Sequence, residues 1–131
     1  MRFLLLLFPL LACRRDPAPP AFDATLLNGT YRKLYETAGE QNLWCTYYHD
    51  TCALDNRYRF EASGAFTVVD AGIPCTLPEE RGGAWRLKGD SLQLPDGAYR
   101  VLRLDAQELR LEALRQRNGF RMQVAVGYRR E

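Results

Sequence analysis

From Asn56 to the C-terminus, apolar side chains recur at every second position, and Gly, Pro, Asn and Asp interrupt the runs about every six to ten residues. Period two belongs to a strand with one covered face, and turn residues at such short intervals join consecutive strands into hairpins. Tyr58 and Phe60 alternate with Arg57, Arg59 and Glu61; Ser63 and Gly64 turn the chain, and Phe66 and Val68 return on the inner face. Trp85 and Leu87 alternate with Ala84, Arg86 and Lys88, Gly89 and Asp90 turn into Leu92 and Leu94, and Pro95, Asp96 and Gly97 turn again. The next strand carries Tyr99 and Val101. Leu102 and Leu104 fall on the opposite parity, so a bulge is expected near Arg103.

The last pair gives the clearest local signal. Leu109, Leu111 and Ala113 face one way, Asn118 and Gly119 supply the positive backbone angles of a tight hairpin turn, and Phe120, Met122, Val124, Val126 and Tyr128 return on that same face. An early strand around Gly29 to Glu36, with Tyr31 inward, and another around Leu43 to Tyr48 bring the total to about eight or nine. The expected fold is all-β, an antiparallel up-and-down barrel of about eight strands, whose closure removes exposed edges. The alternative is an open sandwich, but the Cys and Trp positions do not follow the immunoglobulin pattern.

Length and charge narrow the function. The 131 residues fit one domain. With 18 Lys and Arg against 16 Asp and Glu, the net charge of +2 argues against nucleic acid as partner. The chain opens with Met1, Arg2 and an apolar run from Phe3 to Ala12, broken only by Pro9. A spanning helix needs roughly 20 apolar residues, so this run reads as an export signal. Its end, Leu10-Leu11-Ala12-Cys13, resembles the lipobox of bacterial lipoproteins. The resemblance implies lipid attachment at Cys13 with removal of residues 1–12, hence a palmitate-type membrane anchor in the cell envelope. Arg14 stands where an Asp retains many such proteins at the inner membrane, which favours the periplasmic face of the outer membrane. Residues 13–24, with Pro17, Pro19 and Pro20, read as a solvated tether, and 25–131 as the domain.

Gly29-Thr30-Tyr31, Cys52 before Tyr58 and Phe60, Gly64, Cys75, Gly83-Ala84-Trp85 with Gly89, Asp90 and Leu92, and finally Leu109 and Leu111 are together similar to the lipocalin-like domains of bacterial lipoproteins. That resemblance implies an up-and-down barrel and a domain able to take a small apolar molecule. With Cys13 assigned to lipid, Cys45, Cys52 and Cys75 are left, an odd number for an oxidising compartment. Pairing Cys75 with either Cys45 or Cys52 would stabilise the fold by roughly 3 to 3.5 kcal/mol, so energetics does not choose between them. The resemblance implies Cys52 with Cys75.

Cys45, His49, Cys52 and Cys75 also compose a four-ligand zinc set on paper, but their spacing follows no standard zinc pattern. No metal or other cofactor is expected. His49 is the single histidine, no Gly-x-Ser-x-Gly elbow surrounds a serine, and Glu79 and Glu80 sit in a polar, Pro-flanked stretch. No catalytic residue is therefore assigned, and the chain reads as non-enzymatic. Arg110, Arg115, Arg117 and Arg121 suit an acidic partner or a membrane, or form a solvated face balanced by Glu108 and Glu112.

Two functions stay open. An apolar cup lined by Tyr31, Tyr58, Phe60, Trp85, Tyr99, Phe120 and Tyr128 would make a carrier or sensor of a small hydrophobic ligand. Alternatively, a small barrel full of rings has little space for a ligand, and the domain is an interaction module for an envelope protein, contacting it through loops such as that around Tyr47 and Tyr48.

Overall fold

The computed structural model describes residues 17, 18, 20–43, 51–72 and 81–131. Its strands in chain order are β1 (Gly29–Ala38), β2 (Gln41–Asn42), β3 (Arg57–Phe60), β4 (Ala65–Val69), β5 (Arg81–Ala84), β6 (Arg86–Lys88), β7 (Ser91–Leu94), β8 (Gly97–Leu104), β9 (Glu108–Arg117) and β10 (Phe120–Arg130). Two 3-10 turns, Ala24–Leu27 and Thr51–Asp55, complete the described elements. Pairing is antiparallel throughout, along the path β5-β4-β3-β1-β10-β9-β8-β7-β6, with β2 on the end of β1.

The two ends of that path are neighbours in sequence, with only Trp85 between them. β5 and β6 are thus halves of one bent strand, the first bonded to β4 and the second to β7. Trp85 fixes the corner: its backbone N–H donates to the Gly64 carbonyl at 2.8 Å, and its indole N–H donates to the Glu61 carbonyl at 2.9 Å. Through this bent strand the sheet returns on itself as an up-and-down, lipocalin-like barrel with eight walls. Of the strand expected around Leu43 to Tyr48, only Leu43 lies among the described residues, its N–H donating to the Glu36 carbonyl at 2.8 Å just after β2 ends.

Alternation decides which face is buried. Phe66 and Val68, Leu92 and Leu94, Tyr99 and Val101, and Leu109, Leu111 and Ala113 all lie in the core. The bulge expected near Arg103 is at Leu102: Val101 pairs with Leu111 and Arg103 with Arg110, so Leu102 is extruded, 47% exposed, while Leu104 turns inward. Asn118 and Gly119 take φ of 52° and 81°, as a tight primed turn requires.

One end of the barrel is closed by its own chain. The first 3-10 turn, capped by the Asp23 carboxylate on the Thr25 N–H at 2.9 Å, sets Leu27 fully inside, with Phe22 and Leu26 packed beside it. Tyr31 donates its hydroxyl to the Leu26 carbonyl at 2.9 Å. Arg130 donates to the same carbonyl at 2.8 Å and to that of Asn28, with its guanidinium 5.6 Å from the Tyr31 ring centre. The opposite end carries the β7–β8 and β9–β10 turns, and β1 and β4 end there.

Candidate functional site in the barrel interior and its rim

Six of the seven aromatic candidates face the interior, in two groups. Near the closed end, Tyr31 meets Phe60 edge to face at 5.5 Å, and Phe60 meets Phe66 at 5.0 Å and Trp85 at 6.3 Å. Tyr31 and Phe60 are fully buried, so they form a plug of rings rather than the wall of an accessible cup. Toward the other end, Tyr58 and Tyr128 meet edge to face at 5.1 Å, and Tyr99 is buried on β8.

Phe120 is the correction. It has the parity of Met122 and Val124, as expected, yet it is 74% exposed. The β1 ladder with β10 ends at Ala38 and Val124, and that of β8 with β9 ends at Arg100 and Glu112. Phe120 lies beyond both, where parity no longer implies burial.

The interior is not lined by apolar side chains alone. β1 has a one-residue bulge at Leu34: Lys33 pairs with Tyr128 but Tyr35 pairs with Gly127. The slip puts Lys33 and Glu36 on the same inner face, where Lys33 Nζ lies 2.9 Å from Glu36 Oε2 with both side chains largely shielded from water. The ammonium also sits 5.2 Å from the Tyr58 ring centre and 5.9 Å from that of Tyr128. Burial works against the charge on Lys33, but the Tyr58 hydroxyl and the Glu36 carboxylate more than offset it and hold its pKa above the ordinary lysine value. Burial pushes the Tyr128 phenol well up. Tyr99 is pushed up to about 12 by burial and by its 2.6 Å hydrogen bond to the Asp96 carboxylate. Lys33 thus faces Glu36 as an ion pair, beside the phenols of Tyr99 and Tyr128, which are protonated at neutral pH.

A cleft of about 470 Å³ opens on the wall where β8 parts from β9. Tyr99, Arg100, Glu112, Leu114 and Gln123 are among its borders, so of the seven candidates Tyr99 alone touches it. The Glu112 carboxylate accepts from Arg100 at 3.2 Å and from Gln123 at 2.6 Å. Arg115 reaches back from β9, its guanidinium 4.4 Å from the Tyr99 ring centre and one N–H donating to the Ala98 carbonyl at 3.2 Å. Arg115, expected on the outer face with Arg110, Arg117 and Arg121, is corrected to the inner face: it shares the parity of Leu111 and Ala113, as Lys33 shares that of Tyr31, so strict alternation would have found both. Glu36 required the bulge, which nothing in its local sequence announces.

Cys52 is disulfide-bonded, as expected for one member of the pair. Cys75, Cys45, Cys13, His49, the Tyr47–Tyr48 segment and Glu79 and Glu80 lie outside the described residues. No protein-family model, curated protein or solved structure matches the chain.

Proposed function

We propose that this chain is a non-enzymatic lipoprotein of the bacterial cell envelope, anchored through Cys13, whose barrel is an interaction module rather than a container. One observation carries the choice: the interior from Tyr31 through Phe60 to Trp85, and from Tyr58 to Tyr128, is filled by rings in mutual contact. A small barrel filled in this way presents its surface and loops, not its lumen. Native mass spectrometry of the protein purified from its host tests this. The expected result is the bare chain mass plus lipid anchor, with no change in Trp fluorescence on adding fatty acids; a stoichiometric small molecule released on unfolding would overturn it. Anchoring is tested separately: Cys13→Ser should move the protein from the membrane to the soluble fraction.

The Lys33–Glu36 pair favours the second reading, a carrier of a small amphiphile. Polar groups placed inside an apolar wall are how pockets orient a ligand's head, and the wall cleft beside Tyr99 would give access. A bound amphiphile whose retention fails in Lys33→Met would establish that reading in place of the module.

A further inference from the structure

The hairpin formed by β9 and β10 outruns its neighbours. Among the described residues, four rungs lie past the last β1 and β8 pairings: Leu114 with Gln123, Arg115 with Met122, Gln116 with Arg121, and Arg117 with Phe120. Among those residues, the only backbone bond to this arm from β1's side is from Gly39 N–H to the Gln123 carbonyl at its base. A two-stranded ribbon of this kind is barely stable alone in water. Here it is braced by Arg115 lying over Tyr99, so it stands off the barrel as a fixed projection of roughly 10 Å.

Its composition is one-sided. Residues 114–123 hold three arginines and no acid. Leu114 is 71% exposed and Phe120 74% exposed, the largest exposures among the described large apolar side chains. They have opposite parity and so occupy opposite faces of the ribbon. A protein groove covers one face of a ribbon and would leave the other apolar residue in water. A headgroup layer surrounds the ribbon, accepting both apolar side chains at the acyl boundary while its anionic phosphates meet the arm's arginines other than Arg115.

We infer that the β9–β10 arm is a second membrane contact, inserting Phe120 and Leu114 into an anionic lipid surface. This rests on the interaction-module reading and names one partner for it. The first 3-10 turn lies at the opposite end of the barrel. The nine residues from Cys13 to Ala21, ahead of the packed Phe22, reach roughly 30 Å if fully extended, enough for anchor and arm to meet one bilayer with the barrel lying along it.

The test uses the full chain with Cys13→Ser, in which Phe120→Trp reports locally on the arm, compared with the same chain retaining Phe120. In vesicles of phosphatidylglycerol and phosphatidylcholine, the added indole emission should shift to the blue and be quenched by brominated lipid. Arg117→Gln with Arg121→Gln should weaken this contact roughly thirtyfold, and salt should weaken it in the parent. Near-ultraviolet circular dichroism confirms that each variant is folded, and Phe120→Ser, which alters no charge, gives an independent loss of binding. The inference is overturned if the indole introduced by Phe120→Trp is quenched equally in pure phosphatidylcholine, if it stays water-exposed in all vesicles, or if the arm binds polyglutamate but not lipid. Because the readout is local to position 120, those outcomes leave the filled-barrel reading intact; a co-purifying lumen ligand would overturn that reading without touching this result.

Discussion

Gly127 shows how one residue can be fixed by a neighbour rather than by its own backbone. It lies opposite Tyr35 across the β1–β10 ladder, and a Cβ at 127 would clash with the Cδ1–Cε1–Cζ edge of the Tyr35 ring. The ring covers bare backbone, the arrangement known as aromatic rescue of a strand glycine. Gly127→Ala should therefore lower stability by about 1–3 kcal/mol, measured by urea unfolding, and the double variant with Tyr35→Ala should lose less than the sum of the two. Tyr99 makes a pH prediction. Its folded pKa of about 12 exceeds the ordinary value of 10.0, so the folded state holds that proton more tightly than the unfolded chain. The resulting stability is complete below about pH 10 and is lost as pH rises toward 12, roughly 1–2 kcal/mol after allowing for solvent screening. Tyr128 and Lys33, both raised, act in the same direction. Tyr99→Phe should flatten the fall in urea midpoint between about pH 9.5 and 11.5 (on the order of 1 kcal/mol per pH unit at most) and should cost about 1 kcal/mol near pH 8 through the lost bond to Asp96. An unchanged alkaline slope would count against the assignment.

Among the elements, β1 does what no other described strand does: its bulge at Leu34 carries two opposite charges three residues apart into one apolar interior. Strict alternation would have sent Glu36 out to water. Lys33→Met removes the ammonium from beside the Glu36 carboxylate and should cost roughly 3 kcal/mol, whereas Lys33→Met with Glu36→Leu should recover most of that loss, since a well-packed apolar pair replaces a shielded ion pair at little cost. If the double variant is as unstable as the single one, the pair is not the source of the effect. The same strand shows where sequence stops informing structure. Parity is sufficient for β3, β4, β7 and the lower parts of β9 and β10, because those strands are covered on one face along their whole length. It locates the Leu102 bulge because two leucines there break phase visibly. At Leu34 the flanking Lys33, Tyr35 and Glu36 give no apolar rhythm to break, so the slip is silent. Phe120 keeps the right parity and misses burial because how far neighbouring strands extend is a property of their ends. The 3-10 turn at Ala24–Leu27, within a stretch read as partly tether, is fixed by Arg130 and Tyr31, residues far off in sequence or across a strand start.

For the molecule as a whole, the question of container or module reduces to what occupies the space around Phe60. That ring touches Tyr31, Phe66 and Trp85 within one cluster, drawn from β1, β3, β4 and the corner between β5 and β6, so it joins the strands that close the barrel. Its removal creates space that these neighbours are too constrained to fill, because Tyr31 is held by the Leu26 carbonyl and Trp85 by the Glu61 carbonyl. Phe60→Ala should therefore cost about 3–5 kcal/mol and leave an apolar void of the kind that stays dry and admits a benzene-sized guest. If the native barrel is filled, benzene or xenon will raise the melting temperature of Phe60→Ala and leave the parent unchanged. If the native barrel is a container, the parent will already respond to such guests, and deleting Phe60 will enlarge an existing site rather than create one. Thermal melts of both proteins with and without benzene separate the two cases, and a response of equal size in parent and variant would remove the physical basis for reading this barrel as a surface rather than a vessel.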